Sequence, residues 1–437
     1  MLPRASLPTI LFKTTINFRL LLVCALAASV GLPIAFLSLA KITLFIGTLI
    51  ILFRSDSPLV DSEVVVIGKP LTALLIFGII TAFAASLAWT SGSQVEALNS
   101  LSKYGKLLII PVFCVLIKSR KEALFALASF SGVQLFLVLS AWMLFTKMPV
   151  PWALSQYSLT HNVVFSSYLD EGLMAAVFAA VSWHLKDLVP GKYGPFYAIA
   201  AALVALGDVF FLLQGRTGHV VAVLLLTFAI AWQLPRKYRL TALVLPLILV
   251  VILYASSTKV QTRMDVLKNE IQNFSFKQGA DVNSNNSSGI RLQFWHRAIQ
   301  SISENPILGS GAGSWSNEFN RLDRMDNKVH IDIQPLGNPH QEYLLWGVQL
   351  GVPGILLLLA LMISILKDTL FMDTQAARAT QSCLLALTVA CLFNSSLYDA
   401  QIGDFFCVVL GLLLAFGLHP KQSIPSTDYS VIDKKPL

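Results

Sequence analysis

Apolar residues dominate this chain in long blocks, with neither strict alternation nor amphipathic stripes. The blocks run over 17–32, 36–53, 70–89, 104–117, 122–145, 171–185, 196–213, 218–233, 240–256, 341–366, 379–394 and 402–418. A bilayer-spanning helix needs about 20 predominantly apolar residues. The pattern therefore predicts an all-α polytopic membrane protein with about twelve transmembrane helices. Only Gly31–Pro33 separates the first two blocks, a break that shortens or tilts one of them.

The blocks divide the chain into four parts: helices 1–9 over 1–256, a large loop over 257–340, helices 10–12 over 341–418, and a polar tail over 419–437 expected to be disordered. Within the loop, 259–276 (KVQTRMDVLKNEIQNFSF) spaces Val260, Met264, Leu267 and Ile271 at helical intervals, which predicts an amphipathic surface helix. The small polar stretch 277–289 (KQGADVNSNNSSG) predicts a mobile connection. A second helix is expected from about Ile290, capped by Ser287 or Ser288 and ending near Asn305–Pro306. A glycine-rich turn, ILGSGAGSW, and a polar stretch to Pro339–His340 complete the loop.

Composition agrees with the blocks. Of 437 residues, 55% are hydrophobic and 13% charged, against about 25% charged in a soluble domain. The net charge of +8 would suggest an anionic partner in a soluble protein, but here its sidedness is the informative quantity. With a cytoplasmic N-terminus, eighteen Lys and Arg fall in cytoplasmic segments and five (Lys41, Lys103, Lys106, Lys147, Arg216) in short outer ones. Both termini are thus expected in the cytoplasm, with 257–340 outside and no nucleic-acid partner. Arg4, Lys13 and Arg19 precede the first block as in a signal peptide, but no clean cleavage pattern follows, so a retained helix is expected. The five cysteines (Cys24, Cys114, Cys383, Cys391, Cys407) all lie in apolar blocks. They predict buried thiols, with no disulfide framework and no metal-ligand spacing.

Charges at a membrane edge are expensive and are candidates for function. Arg216 lies in QGRTGH, a turn too short to stand clear of the bilayer, whose glycines permit close backbone approach. Arg291 opens the expected loop helix, where free backbone N–H groups and a guanidinium suit an oxyanion; Trp295 lies one turn on. His340 stands where the loop re-enters the apolar sequence in GNPHQEYLLWGVQLGVPG and can titrate near neutral pH as a base. Glu342 points elsewhere on the following helix. Two arginines and a histidine on one side make an anion clamp with a base, suited to a diphosphate-bearing substrate and a nucleophilic hydroxyl. Asp323, Asp326 and Asp332 are scattered through the loop and are expected to be solvated. Asp399 in NSSLYDAQ, His161 with Asn162 in SLTHNVV, and Arg297 are weaker candidates for substrate contact or helix capping.

These motifs, in the order R-x-x-x-W-x-x-A, NPILGSGAGSW and PHQEYLLWGVQLG, resemble the O-antigen ligase/polymerase superfamily over about residues 205–365. Arg216 and Arg291 match the family's functional arginines and His340 its loop histidine; Gln341 stands where many members have Asn. The resemblance implies a GT-C-like, metal-independent, inverting glycosyltransferase without a cofactor, in the bacterial inner membrane with a periplasmic active site. Its donor would be a glycan on undecaprenyl diphosphate and its acceptor lipid A–core, with membrane lipids around it. In this reading Arg216 and Arg291 bind the diphosphate, His340 is catalytic, and Asp399, His161 and Trp295 are possible substrate contacts. Polymerisation of O-antigen repeats and transfer of oligosaccharide to protein Ser or Thr are the alternative activities. A lipid-linked glycan transporter is the alternative from another class, although no inverted repeat is visible.

Overall fold

A computed structural model of the chain describes residues 17–54, 70–153, 155–242, 287–326 and 337–419, with isolated positions between 243 and 268. The described residues are helical with no strand, so the chain is an all-α polytopic membrane protein. In order they form α1 (Phe18–Ser29), α2 (Ile34–Arg54), α3 (Leu71–Ala85), α4 (Gln94–Tyr104), α5 (Ile109–Leu116), α6 (Arg120–Phe145), α7 (Gln156–His161), α8 (Tyr168–His184), α9 (Gly194–Gly207) and α10 (Arg216–Gln233). The loop helices α11 (Ser287–Glu304) and α12 (Trp315–Asp326) follow, then α13 (Glu342–Asp368), α14 (Thr374–Phe393) and α15 (Ala400–Leu418).

Among the described residues, nine helices are long and apolar enough to cross a membrane, fewer than the twelve expected. The difference has identifiable sources. Helix α1 is only 12 residues long, and α8 is 17 residues long and carries Asp170 and Glu171 in its first turn. The block 240–256 lies largely outside the described residues, as do the amphipathic 259–276 segment and the tail beyond 419. The loop differs from expectation in two places. Helix α11 starts at Ser287 itself, and the expected polar stretch contains a further helix, α12. Lys41, Lys103 and Lys106, expected in outer connections, instead lie within continuous helical segments. Lys41 pairs with Asp404 at 2.6 Å.

The helix ends follow local chemistry. Ser93 and Glu96 form a reciprocal capping box at α4, and Ser167 accepts from the Asp170 N–H at the start of α8. Helix α3 begins after Pro70, which has no capping side chain, and its first N–H groups are satisfied across the bundle by Asp368 from Leu71 (3.0 Å) and Thr72 (3.1 Å). Helix α15 is buried along nearly its whole length, as expected of a helix apolar on every side. Cys383, Cys391 and Cys407 are buried and Cys24 and Cys114 half-buried, all as free thiols.

The glycine-rich turn docks the loop onto the membrane helices. Helix α13 breaks at Gly351, whose φ is 70°, and Pro353 has no N–H to offer the Gln349 carbonyl. The Val352 N–H donates out of the helix to Pro306 O at 2.8 Å. The carbonyls of Val348 and Gln349, released from helical bonding, accept from Ser310 N (2.8 Å) and Gly311 N (2.9 Å). Gly311, at φ 87°, approaches so closely that a Cβ would stand 2.3 Å from Thr90 Cα. The GSGAGSW and GVQLGVPG motifs are thus two halves of one backbone joint.

Candidate active site

The QGRTGH turn follows a π-helical turn, Asp208–Leu212, that closes the preceding helix. Gly215 is the N-cap of α10, and a Cβ there would lie 3.1 Å from Tyr168 O. One turn on, a Cβ at Gly218 would come within 3.1 Å of the Gly172 backbone, so α8 and α10 meet through small residues. His219 Nδ1 lies 2.7 Å from Gly215 O and fastens the turn. These contacts leave Arg216 as the first residue of α10, with an exposed side chain beside the start of α8.

The hairpin of α11 and α12 supplies the second arginine. Its interior is built on Phe294, which packs edge-on against Trp315 (5.7 Å) and Phe319 (5.1 Å). A buried ion pair, Arg297 to Asp323 at 3.1 Å, ties the two helices, and Gln293 donates to the same carboxylate at 3.1 Å. Asp323, expected to be solvated, is 0% exposed; the hairpin buries it because Arg297, itself 2% exposed, needs a counter-charge. This assigns Arg297 to the hairpin's structure. Arg291 lies on the same helix and is half-buried. Its guanidinium is held below its ordinary range by burial and by the charge of Arg216, opposed by Tyr168.

His340 has a left-handed backbone, φ 54°. Asn338 stabilises it: the His340 N–H donates to Asn338 Oδ1 at 2.9 Å, an Asx turn, and Asn338 Nδ2 donates to Asp399 Oδ1 at 2.9 Å. The imidazole lies near-parallel to and offset from the Phe294 ring, centroids 6.2 Å apart at 17°. Burial and the Arg291 charge both lower its pKa from the ordinary value, so the ring is neutral at neutral pH and able to accept a proton. Gln341 caps α13 through the Leu344 N–H. Glu342 does point elsewhere, accepting from Tyr104, Trp346, Leu397 and Tyr398.

Arg291 thus lies within electrostatic reach of both Arg216 and His340. Among the described residues, no carboxylate pairs with either arginine. Asp399 joins through Asn338, and its carboxyl is pushed up by burial against the pull of Lys106 and Lys103. It is the N-cap residue of α15 but makes no side-chain cap bond. His161 ends α7, stacked on Tyr157 and Tyr168, with Asn162 in the left-handed C-cap position. Trp295 is half-buried against the core, its Nε1 enclosed and unpartnered among the described residues, and nothing ties it to the arginines. Sequence reasoning missed Tyr168, Asn338 and Phe294. Of these only Asn338 carried a signal, the Asn-Pro pair of a turn.

Residues 200–359 match a family model described as O-Antigen ligase. The match supports membership of the O-antigen ligase superfamily. The matched segment runs from α9 through the kink of α13 and includes Arg216, Arg291, His340 and both halves of the backbone joint. It supports a membrane glycosyltransferase of the O-antigen ligase/polymerase type, a family that implies lipid-linked glycan substrates. No curated protein matches the chain significantly.

Proposed function

We propose that this O-antigen ligase superfamily member is a ligase proper. It would move O-antigen polysaccharide from undecaprenyl diphosphate onto lipid A–core at the periplasmic face of the inner membrane, with both termini in the cytoplasm. The observation that supports this reading is that Arg291 feels the charge of Arg216 and that neither arginine pairs with a carboxylate among the described residues. Two like charges at close range disfavour each other, and a diphosphate between them converts that repulsion into charge-assisted, bidentate hydrogen bonding.

The donor's diphosphate lies between Arg216 and Arg291. Its isoprenoid tail follows α10 away from Arg216, toward an apolar cavity of about 160 Å³ among α8, α9 and α10, lined by Ala176, Ala180, Leu203, Leu225 and Ile230. The acceptor hydroxyl sits against His340. As its oxygen bonds to the anomeric carbon, its proton passes to the neutral imidazole. The bond from that carbon to the diphosphate oxygen breaks with inversion, and undecaprenyl diphosphate leaves as an anion. A glycosidase needs a general acid to expel an alkoxide; a diphosphate needs only the positive charge that the arginines supply. Asn338 and Asp399 hold the histidine's backbone.

The test is a lipopolysaccharide gel from cells lacking the gene, complemented with wild type, Arg216→Ala, Arg291→Ala or His340→Ala. Bare lipid A–core with polymeric glycan accumulating on undecaprenyl diphosphate, restored by wild type alone, is the ligase result. A core bearing a single repeat would make the chain a polymerase, and an unchanged ladder would point to transfer onto protein.

A further inference from the structure

Tyr157, His161 and Tyr168 form a cluster of three stacked rings. His161 lies 4.3 Å from Tyr157 at 28° and 5.2 Å from Tyr168 at 9°, and Tyr157 and Tyr168 lie 6.5 Å apart at 26°. The near-parallel rings overlap one another and leave only their outward faces and edges open. The stack is partly open: Tyr157 is 44% exposed, and His161 and Tyr168 are half-buried. It is also fixed in place. His161 Nδ1 contacts Tyr157 O at 3.0 Å, so the Nδ1–H tautomer donates there and leaves Nε2 as an acceptor. Asn162 in the left-handed conformation ends the helix directly after the ring.

Its position gives the cluster a purpose. Tyr168 opens α8; its carbonyl is the atom that excludes a side chain at Gly215, next to Arg216, and its ring lies within electrostatic reach of Arg291. The stack therefore adjoins the Arg216 turn, with Tyr168 within electrostatic reach of Arg291. Asp170, on the same first turn of α8, lies within electrostatic reach of Tyr157 and offers a carboxyl acceptor near the cluster.

We propose that the Tyr157–His161–Tyr168 stack is a carbohydrate subsite that holds the first pyranose of the donor glycan, adjoining the diphosphate. One face of a pyranose is a set of polarised C–H groups, which fits the negative face of an aromatic ring. His161 Nε2 and the Asp170 carboxyl accept from its hydroxyls. The subsite rests on the diphosphate-clamp reading above, since the sugar's place is fixed by its bond to the diphosphate. It adds what the clamp lacks, a way to distinguish a loaded lipid carrier from the spent carrier that must leave.

The experiment compares binding of two probes to the purified full-length protein in nanodiscs: undecaprenyl diphosphate-linked glycan extracted from the producing cells, and bare undecaprenyl diphosphate. Wild type should bind the loaded lipid about three- to tenfold more tightly, the range expected of one aromatic contact. Tyr157→Ala should abolish that preference while leaving the affinity for bare lipid unchanged, and Tyr157→Phe should retain it. His161→Phe, which keeps the ring and loses Nε2, should weaken the preference in part. A preference that survives Tyr157→Ala overturns the subsite, as does a wild type that binds both lipids equally well with Arg216 and Arg291 still required. If wild type binds neither lipid, the diphosphate clamp itself fails, and the two failures are thereby distinguished.

Discussion

Arg297 and Arg291 sit on one helix, α11, less than two turns apart, and have opposite fates. Arg297 is closed into the hairpin against Asp323, with both side chains almost wholly buried. Arg291 is left half-buried within electrostatic reach of a second arginine, with no carboxylate to meet it among the described residues. Arg19 pairs likewise with Glu122 at 2.7 Å, Arg120 with Asp373, and Arg321 with Glu304 and Glu318, whereas Arg239 and Arg378 donate to the carbonyls of Leu234 and Trp232. Arg291, within electrostatic reach of Arg216 and without a carboxylate among the described residues, is the one we propose for an outside anion.

The contrast breaks most sharply at the paired site. Asp323→Ala leaves a buried guanidinium uncompensated and should cost about 3–5 kcal/mol, read as a fall in melting temperature and as protease cleavage in the loop. Replacing both partners with apolar residues, Arg297→Met with Asp323→Leu, should recover most of that loss. At the open site the balance reverses. Arg291→Ala should lower glycan transfer by about 10²–10³-fold, assayed with purified donor and acceptor, while the melting temperature stays at or slightly above wild type because a like-charge contact has gone.

A subtler change separates the charge of Arg291 from its grip on substrate. That charge lowers the His340 pKa, and a base works only when neutral, so transfer is lost as pH falls through the histidine's pKa. Arg291→Gln should move the acid limb of the pH–rate profile upward, in whatever activity remains. Smallest is the effect expected at Asn338. Asn338→Ala removes the bond that supports the left-handed His340 backbone and should lower kcat with little change in donor affinity, measured by steady-state kinetics. An equal loss of affinity would place Asn338 on the donor instead.

The membrane class was legible because hydropathy is a one-dimensional property; Arg216, Arg291 and His340 stood out as candidates because a charge at a membrane edge is conspicuous and the three fell into the order of a resembling family. What could not be read depended on contacts distant in sequence. Asp323 looked solvated because its partner is 26 residues away on another helix. Helix α12 was hidden by its polarity: WSNEFNRLDRMD places Trp315, Phe319 and Leu322 on one face, but the stretch passes for a loop beside membrane helices. The glycines of GSGAGSW were recognisable as a motif, yet only the kink at Gly351 shows that their role is to let two backbones meet. Lys106 was counted among outer loops but is 4% exposed and donates to Asp399 O at 2.6 Å, a bond only the tertiary structure reveals.

The central claim is that Arg216 and Arg291 form an anion site that the protein leaves without a counter-charge of its own. It is tested most directly by the melting temperature of the purified protein titrated with inorganic diphosphate. Ligand that binds only the folded state stabilises it in proportion to RT ln(1 + [L]/Kd). The account predicts a saturable rise for wild type that is absent in Arg216→Ala and in Arg291→Ala and is kept in His340→Ala. No rise in wild type, or an equal rise in all four proteins, would contradict it.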